Sequence, residues 1–220
     1  MFTMEIDLKG NQEKFENLLR TTIKRDGVEQ IIEYLKGSDF YTAPATTRYG
    51  LSVEGGLCQF TLDIYSIMMQ LADLYAPKNK DEVRNGNTIE DEGAFTDENI
   101  AVVALLSQLA KMQCYVKDKR NVKVNGKWEE QEYWRWNEQF KYPGCGTKSV
   151  FIIQQFMKLW AEEAQAIGFM MMGRDNQLSS SYDGLYMEVY DTSKLSLLLG
   201  TAVHLSTYLP CQSNRNEFNS

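Results

Sequence analysis

The sequence predicts a mainly α-helical fold with one inserted β-hairpin, and three observations lead there. Apolar residues recur at helical spacing through most of the 220 residues, from Phe15, Leu18, Leu19 and Ile23 near the start to Leu197, Leu198, Leu199, Ala202, Val203 and Leu205 near the end. The stretch Ile100 to Lys111 is apolar on every side, and Thr96-Asp97-Glu98-Asn99 in front of it supplies a capping side chain and first-turn carboxylates, so it reads as a buried central helix. Between Tyr115 and Trp136 the period changes. Two runs flank Asn125-Gly126, a dipeptide suited to the positive φ angles of a tight hairpin turn.

Taken in order, Glu13 to Ile23 forms a first helix that Asp26-Gly27 breaks, and Val28, Ile31, Ile32 and Leu35 form the stripe of a second. Gly37-Ser38-Asp39 ends it before an aromatic loop, Phe40-Tyr41-Thr42-Ala43-Pro44. A glycine-containing connection then leads into a long helix, Cys58 to Tyr75, with Leu62, Tyr65, Ile67, Met69 and Leu74 as packing residues. Residues 77–95 are charged and read as a solvated loop. The hairpin insertion spans 114–137 and places Trp134 and Trp136 on one face, with Arg135 on the other. The glycine-rich turn from Tyr142 to Ser149 starts a helix running to Ala166, and free amides at such a start suit a phosphate. Asp183 to Tyr190 is ambiguous. Ser193 to Leu209 forms the last helix, and 212–220 is a flexible tail.

Composition sets bounds on function. A 43% hydrophobic, 24% charged chain of this length supports one domain over residues 1–220. The net charge of −7 argues against coating long nucleic acid or an anionic membrane, but leaves room for a small anion in a local basic pocket. No apolar run reaches membrane-spanning length, and Met1 to Asp7 lacks the basic start and apolar core of a signal peptide, so a soluble cytoplasmic chain is expected. Cys58, Cys114, Cys145 and Cys211 show no paired metal-ligand spacing and read as reduced thiols. His204 is the single histidine and reads as a hydrogen-bonded or exposed side chain rather than a metal ligand.

From about Leu18 to Leu209 the order of segments resembles the HD-domain family of metal-dependent phosphohydrolases, in a branch common in bacteriophages and mobile elements. The landmarks are Asp39-Phe40-Tyr41-Thr42-Ala43-Pro44-Ala45, Glu54-Gly55-Gly56-Leu57, Val103-Ala104-Leu105-Leu106 with Lys111, Asn121-Val122, Asn125-Gly126-Lys127-Trp128, Gly146 with Lys148-Ser149-Val150, and Ala202 with Thr207-Tyr208-Leu209. The resemblance implies an HD-domain-like helical bundle. It also implies where metal ligands would stand, and there this chain departs from the pattern. The first histidine position holds Phe60, the His-Asp pair is Ser107-Gln108, the glycine-turn histidine is Cys145, the next is Met170, and the closing aspartate is Val203. An aromatic ring, a thioether and an isopropyl group cannot replace imidazole and carboxylate donors, so no metal or other cofactor is expected and HD-type hydrolysis is not.

The residues that remain suggest binding. Lys111, Lys148, Arg48 and Arg174 are candidates for a phosphate, Tyr49, Phe60, Tyr115, Trp134 and Trp136 for stacking on a base, and Ser107, Gln108 and Met170 for the pocket wall. The competing reading is that the aromatics fill the volume left by metal and ligands. The expected function is a pseudoenzyme that sequesters a nucleotide-type ligand, in one form a phage counter-defence sponge for a cyclic-nucleotide or NAD-derived signal. The alternative is an interaction module that takes a host or phage protein through the hairpin or the Met170-Met171-Met172 cluster. Either is compatible with a homo-oligomer. Residual metal-free catalysis could draw on Lys111, Lys148, Cys145 and His204, but no nucleophile and base stand in a defensible arrangement.

Overall fold

The computed structural model describes residues 6–48, 51–75, 96–124, 126–140, 145–171 and 183–209. Among them are eight α-helices and one two-stranded antiparallel sheet: α1 (Leu8–Thr22), α2 (Val28–Lys36), α3 (Gly56–Tyr75), α4 (Asp97–Leu106), β1 (Tyr115–Val124), β2 (Lys127–Trp136), α5 (Cys145–Ile153), α6 (Ala161–Phe169), α7 (Asp183–Thr192) and α8 (Lys194–Tyr208). The expected loop 77–95 and tail 212–220 lie outside the described residues.

Helix α4 is the centre of the packing. Every residue from Ile100 to Leu106 is fully buried, and α1, α3, α6 and α8 all pack against it, which is why its sequence carries no polar stripe. Its N-terminus is closed by a reciprocal cap: Asn99 N–H donates to Thr96 Oγ1, and Thr96 N–H donates to Asn99 Oδ1. The helix is shorter than its apolar pattern suggests, stopping at Leu106 rather than running on to Lys111. Ala110 N–H, which in a continuing helix would point back to Leu106, instead donates to Ser149 Oγ on α5 (3.0 Å), and Leu109–Lys111 tightens into a 3₁₀ turn.

The helix expected from Ser149 to Ala166 is likewise two. Helix α5 begins earlier, at Cys145, and ends at Ile153, and a connection leads to α6. The second start is imposed by Glu163, whose carboxylate accepts from Trp160 N–H (2.9 Å). That carboxylate is fully buried and takes four donors. Arg25 Nη1 and Nη2 bind it as a fork at 2.7 and 2.8 Å, and Asn99 Nδ2 adds a bond of 2.7 Å. Arg25 also reaches the Lys158 carbonyl and the Glu98 carboxylate. One cluster of polar groups thus ties the α1–α2 turn to the starts of α4 and α6. The turn itself needs Gly27, at φ +102°, because a Cβ there would meet the Phe156 carbonyl.

Helix α3 buries Leu57, Phe60, Thr61, Ile64, Met68 and Ala72, spaced three or four apart. Tyr65, Ile67 and Met69 flank this stripe, but Leu74 falls off it and is 69% exposed, against its expected packing role. The ambiguous stretch after 183 is helical, and Ser193 separates α7 from α8 by accepting from Ser196 N–H. No described helix is long and apolar enough to cross a membrane.

Removing one partner from the buried polar cluster leaves the other charge stranded. Arg25→Met is expected to cost about 3–5 kcal/mol of unfolding free energy, measurable in urea, whereas Glu29→Gln at its exposed pair with Arg20 should cost less than about 1 kcal/mol.

Candidate functional site

The candidate residues divide into an inner and an outer group. The inner group is Ser107, Gln108 and Met170, all fully buried, with Phe60 at 3% exposure. Gln108 Nε2 donates to Met170 Sδ (3.1 Å) and to Ser107 Oγ (3.3 Å), and Ser107 Oγ leans on the Ala104 carbonyl. Gln108 Oε1 is buried with no partner among the described residues. Where the resemblance places metal ligands, this chain therefore has packed side chains. Met170 belongs to the core, Met171 is half-buried against it, and Met172 lies outside the described residues, so the described methionines form no exposed patch. Among the described residues no three His, Cys, Asp or Glu side chains gather as metal donors.

The outer group is built on two turns. The Asp39–Ala45 loop folds back on its own carbonyls and lies over the start of α3, with Gly55 N–H donating to Thr42 O and Leu57 N–H to Ala43 O. Gly55 stands at φ +76°, and a Cβ on Gly56 would meet the Leu51 carbonyl, so both glycines are required by close approach. This fixes the Ala45 carbonyl in space. Lys111 Nζ (3.1 Å) and Tyr115 Oη (3.0 Å) both donate to it. On the other side of Lys111 lies the Phe60 ring, 4.5 Å from the ammonium.

Lys148 Nζ donates to the Ala110 carbonyl (3.2 Å), which also takes the Cys114 thiol. The Asp39 carboxylate feels Lys148 and accepts twice from Gln113 N–H, at 2.9 and 3.0 Å. That second contact holds Gln113 at φ +60°, a left-handed conformation at the root of the hairpin. Burial raises the Asp39 carboxyl above its ordinary range, and it likewise raises the Tyr115 phenol, which stays a donor.

Lys111 is the electrostatic anomaly. Burial holds its pKa below the ordinary lysine range, and the titratable groups that would oppose this are the Cys145 and Cys114 thiols, only when ionised. No carboxylate pairs with it among the described residues. Its cation rests on one carbonyl dipole and one ring face.

The aromatic candidates are only partly convergent. Trp136 stacks on Tyr115 at 4.8 Å between ring centroids, as a neighbour across the two strands. Trp134 shares that face, as expected, but receives Lys117 Nζ at 5.2 Å, and Lys117 is also paired with Glu54 (3.1 Å). Arg48 is exposed, its N–H bonded to Thr46 Oγ1. Tyr49 and Arg174 lie outside the described residues. Cys58 and Cys114 are buried and Cys145 is half-buried. His204 is exposed and lies 5.1 Å from the Tyr208 ring.

Sequence reasoning missed the Ala45 carbonyl, Ser149, Asp39 and Cys114 as members of this site. The first three sit inside recognised landmark segments, but a backbone acceptor leaves no residue signature. It also missed a groove of about 470 Å³ that includes Lys24, Glu98, Phe156, Lys158 and Trp160, beside the Arg25–Glu163 pair. Charges of both signs line it.

No family model matches the chain, and neither a curated protein nor a solved structure matches it.

Lys111→Met keeps the aliphatic stem against Phe60 and leaves the Ala45 carbonyl with its Tyr115 donor. If the ammonium is held at a cost, Tm rises near pH 7 by about 2–4 °C, the scale of ~1 kcal/mol for a chain of this size. The unfolded chain keeps the Lys111 proton to higher pH than the folded chain does. Wild-type stability therefore gains as pH climbs through the interval between the lowered pKa and the ordinary lysine value, and the advantage of the variant shrinks over that interval. A Tm that falls in the variant at pH 7 would make Lys111 a structural donor.

Proposed function

We propose that this chain binds an anionic, nucleotide-type ligand without cleaving it, on a degenerate scaffold of the HD-domain type. The observation that carries the reading is Lys111: a half-buried ammonium whose pKa burial lowers, with no described carboxylate partner, which a methionine could replace and which a bound phosphate would complete. Lys148 stands on the first turn of α5, and the Tyr115–Trp136 pair offers an aromatic edge to a base. Ser107, Gln108, Phe60 and Met170 act as packing beneath this surface, since they are buried against one another and against the core. The resemblance in segment order supports nucleotide chemistry over other anions, and the phage branch of the family it resembles makes sequestration of a host cyclic-nucleotide or NAD-derived signal one concrete form.

The test is differential. Purified protein is mixed with a panel of cyclic di- and trinucleotides and NAD-derived signals, stripped of free ligand, denatured, and the released compounds are identified. One intact compound at near-stoichiometric yield, lost in Lys111→Met, supports the reading. An altered compound would mean catalysis, and release of nothing by the wild type would overturn it.

A second reading, an interaction module, is favoured by one observation. Trp128 is 71% exposed on a hairpin whose strands pack chiefly on each other. A lysate protein retained by the wild type after nucleotide removal, and not by Trp128→Ser, would favour this module over the ligand-binding reading.

A further inference from the structure

The hairpin is long and has open edges. Its ten-residue strands pair in register from Tyr115 opposite Trp136 to Val124 opposite Lys127, so it extends about 33 Å at the usual rise per residue. A two-stranded ribbon of this kind is marginal in water without further pairing, and each outer edge is a row of backbone donors and acceptors with no strand partner among the described residues. Yet this ribbon keeps Trp128 at 71% and Trp136 at 42% exposure.

The two edges differ. Strand β1 carries Lys117, Lys119, Arg120 and Lys123 against Asp118, a cationic edge that repels a second copy of itself. Strand β2 carries Glu129, Glu130 and Glu132 with Lys127 and Arg135, so both signs are present on one strand. Its outward groups follow from the ladder. Asn137 N–H donates to the Cys114 carbonyl, and with the observed register this alternation turns the backbone of Trp128, Glu130, Glu132, Trp134 and Trp136 away from β1.

We propose that two copies of this chain pair β2 to β2, antiparallel about a two-fold axis at Glu132, making one four-stranded sheet from two hairpins. In that register Trp128 lies opposite the partner's Trp136, Glu129 opposite the partner's Arg135, and Glu130 opposite the partner's Trp134. The exposed tryptophans become cross-strand neighbours, and each end of the interface gains an ion pair. The two Glu132 carboxylates meet at the axis, where each has Lys119 of its own copy directly across the sheet. A slip of the partner by two residues one way sets Lys127 against Arg135 and Glu130 against Glu132. A slip the other way shortens the pairing and leaves Trp128 outside it. Charge and length therefore select one register. Arg135 already bonds Asp118 (2.6 Å) and the Trp136 carbonyl, so it reaches the interface as an ordered side chain. The pairing does not involve Lys111, and it shares only Trp136 with the aromatic edge proposed for a base.

Analytical ultracentrifugation of the full chain over a range of concentrations tests this with charge-reversal variants. Wild type is expected to dimerise reversibly. Glu129→Arg alone and Arg135→Glu alone each place two like-charge contacts in the interface and should weaken dimerisation about tenfold or more. Mixing the two variants places opposite charges at both contacts again and should restore the dimer, which a hairpin damaged by either substitution could not do. A wild type that stays monomeric overturns the proposal and leaves the hairpin to a different protein, and variants that dimerise as wild type does, or fail to complement, overturn this interface.

Discussion

The fold depends on one carboxylate. Glu163 sits at the start of α6 with no solvent exposure, and its two oxygens accept from a guanidinium fork, a side-chain amide and a backbone amide. A buried charge is tolerated when every lone pair is used, and here the donors come from three separate segments. The α1–α2 turn, the cap of α4 and the start of α6 must all be in place for the group to be satisfied, so the cluster specifies their relative placement in a way that apolar contact alone would not. Once α4 is seated, its uniformly apolar surface accepts α1, α3 and α8 around it. The apolar residues supply the driving force, and the carboxylate sets where the pieces meet.

The legible parts of the fold were those governed by local periodicity. The hairpin is readable to the residue because Asn125-Gly126 in the sequence signals a two-residue turn, and the observed pairing starts at Val124 opposite Lys127 as that spacing requires. The buried character of α4 was equally plain. What periodicity could not show were the two helix ends decided from elsewhere in the chain. Ser149 captures the Ala110 amide across 39 residues and stops α4, and Glu163, which caps the nearby Trp160 amide and restarts the chain after α5, is itself held in place by Arg25 and Asn99 from distant segments. Leu74 is the reverse case, an apolar residue at a helix end that the stripe on α3 leaves in solvent. At the site, the lysines and aromatics could be listed from sequence, but their sorting could not. Phe60 and Met170 being buried while Tyr115 and Trp136 form an edge is a matter of tertiary placement.

The chemical character of the site follows from that sorting. A scaffold that held a metal would need donors at its centre; this chain has a thioether, an amide and a hydroxyl there, bonded mainly to one another, with one amide oxygen that finds no partner among the described residues. Positive charge has been kept one layer out. Lys111 ends on a backbone carbonyl, an acceptor that carries partial rather than full charge and so leaves a cation able to take a stronger partner.

The root of the hairpin has a mechanical consequence. Gln113 is held in a left-handed conformation by two bonds from its N–H to the Asp39 carboxylate, and the strands leave the helical body within two residues of that point. A ribbon about 33 Å long, anchored at one end, is a lever: turning it by about 5° at Gln113 carries its tip through about 3 Å, close to the rise of one strand residue. The Asp39–Ala45 loop, which also carries the carbonyl gripping Lys111, is therefore the hinge plate of the arm. Displacement of that loop by a fraction of an ångström would be read out at the far end of the hairpin as a shift of a whole residue.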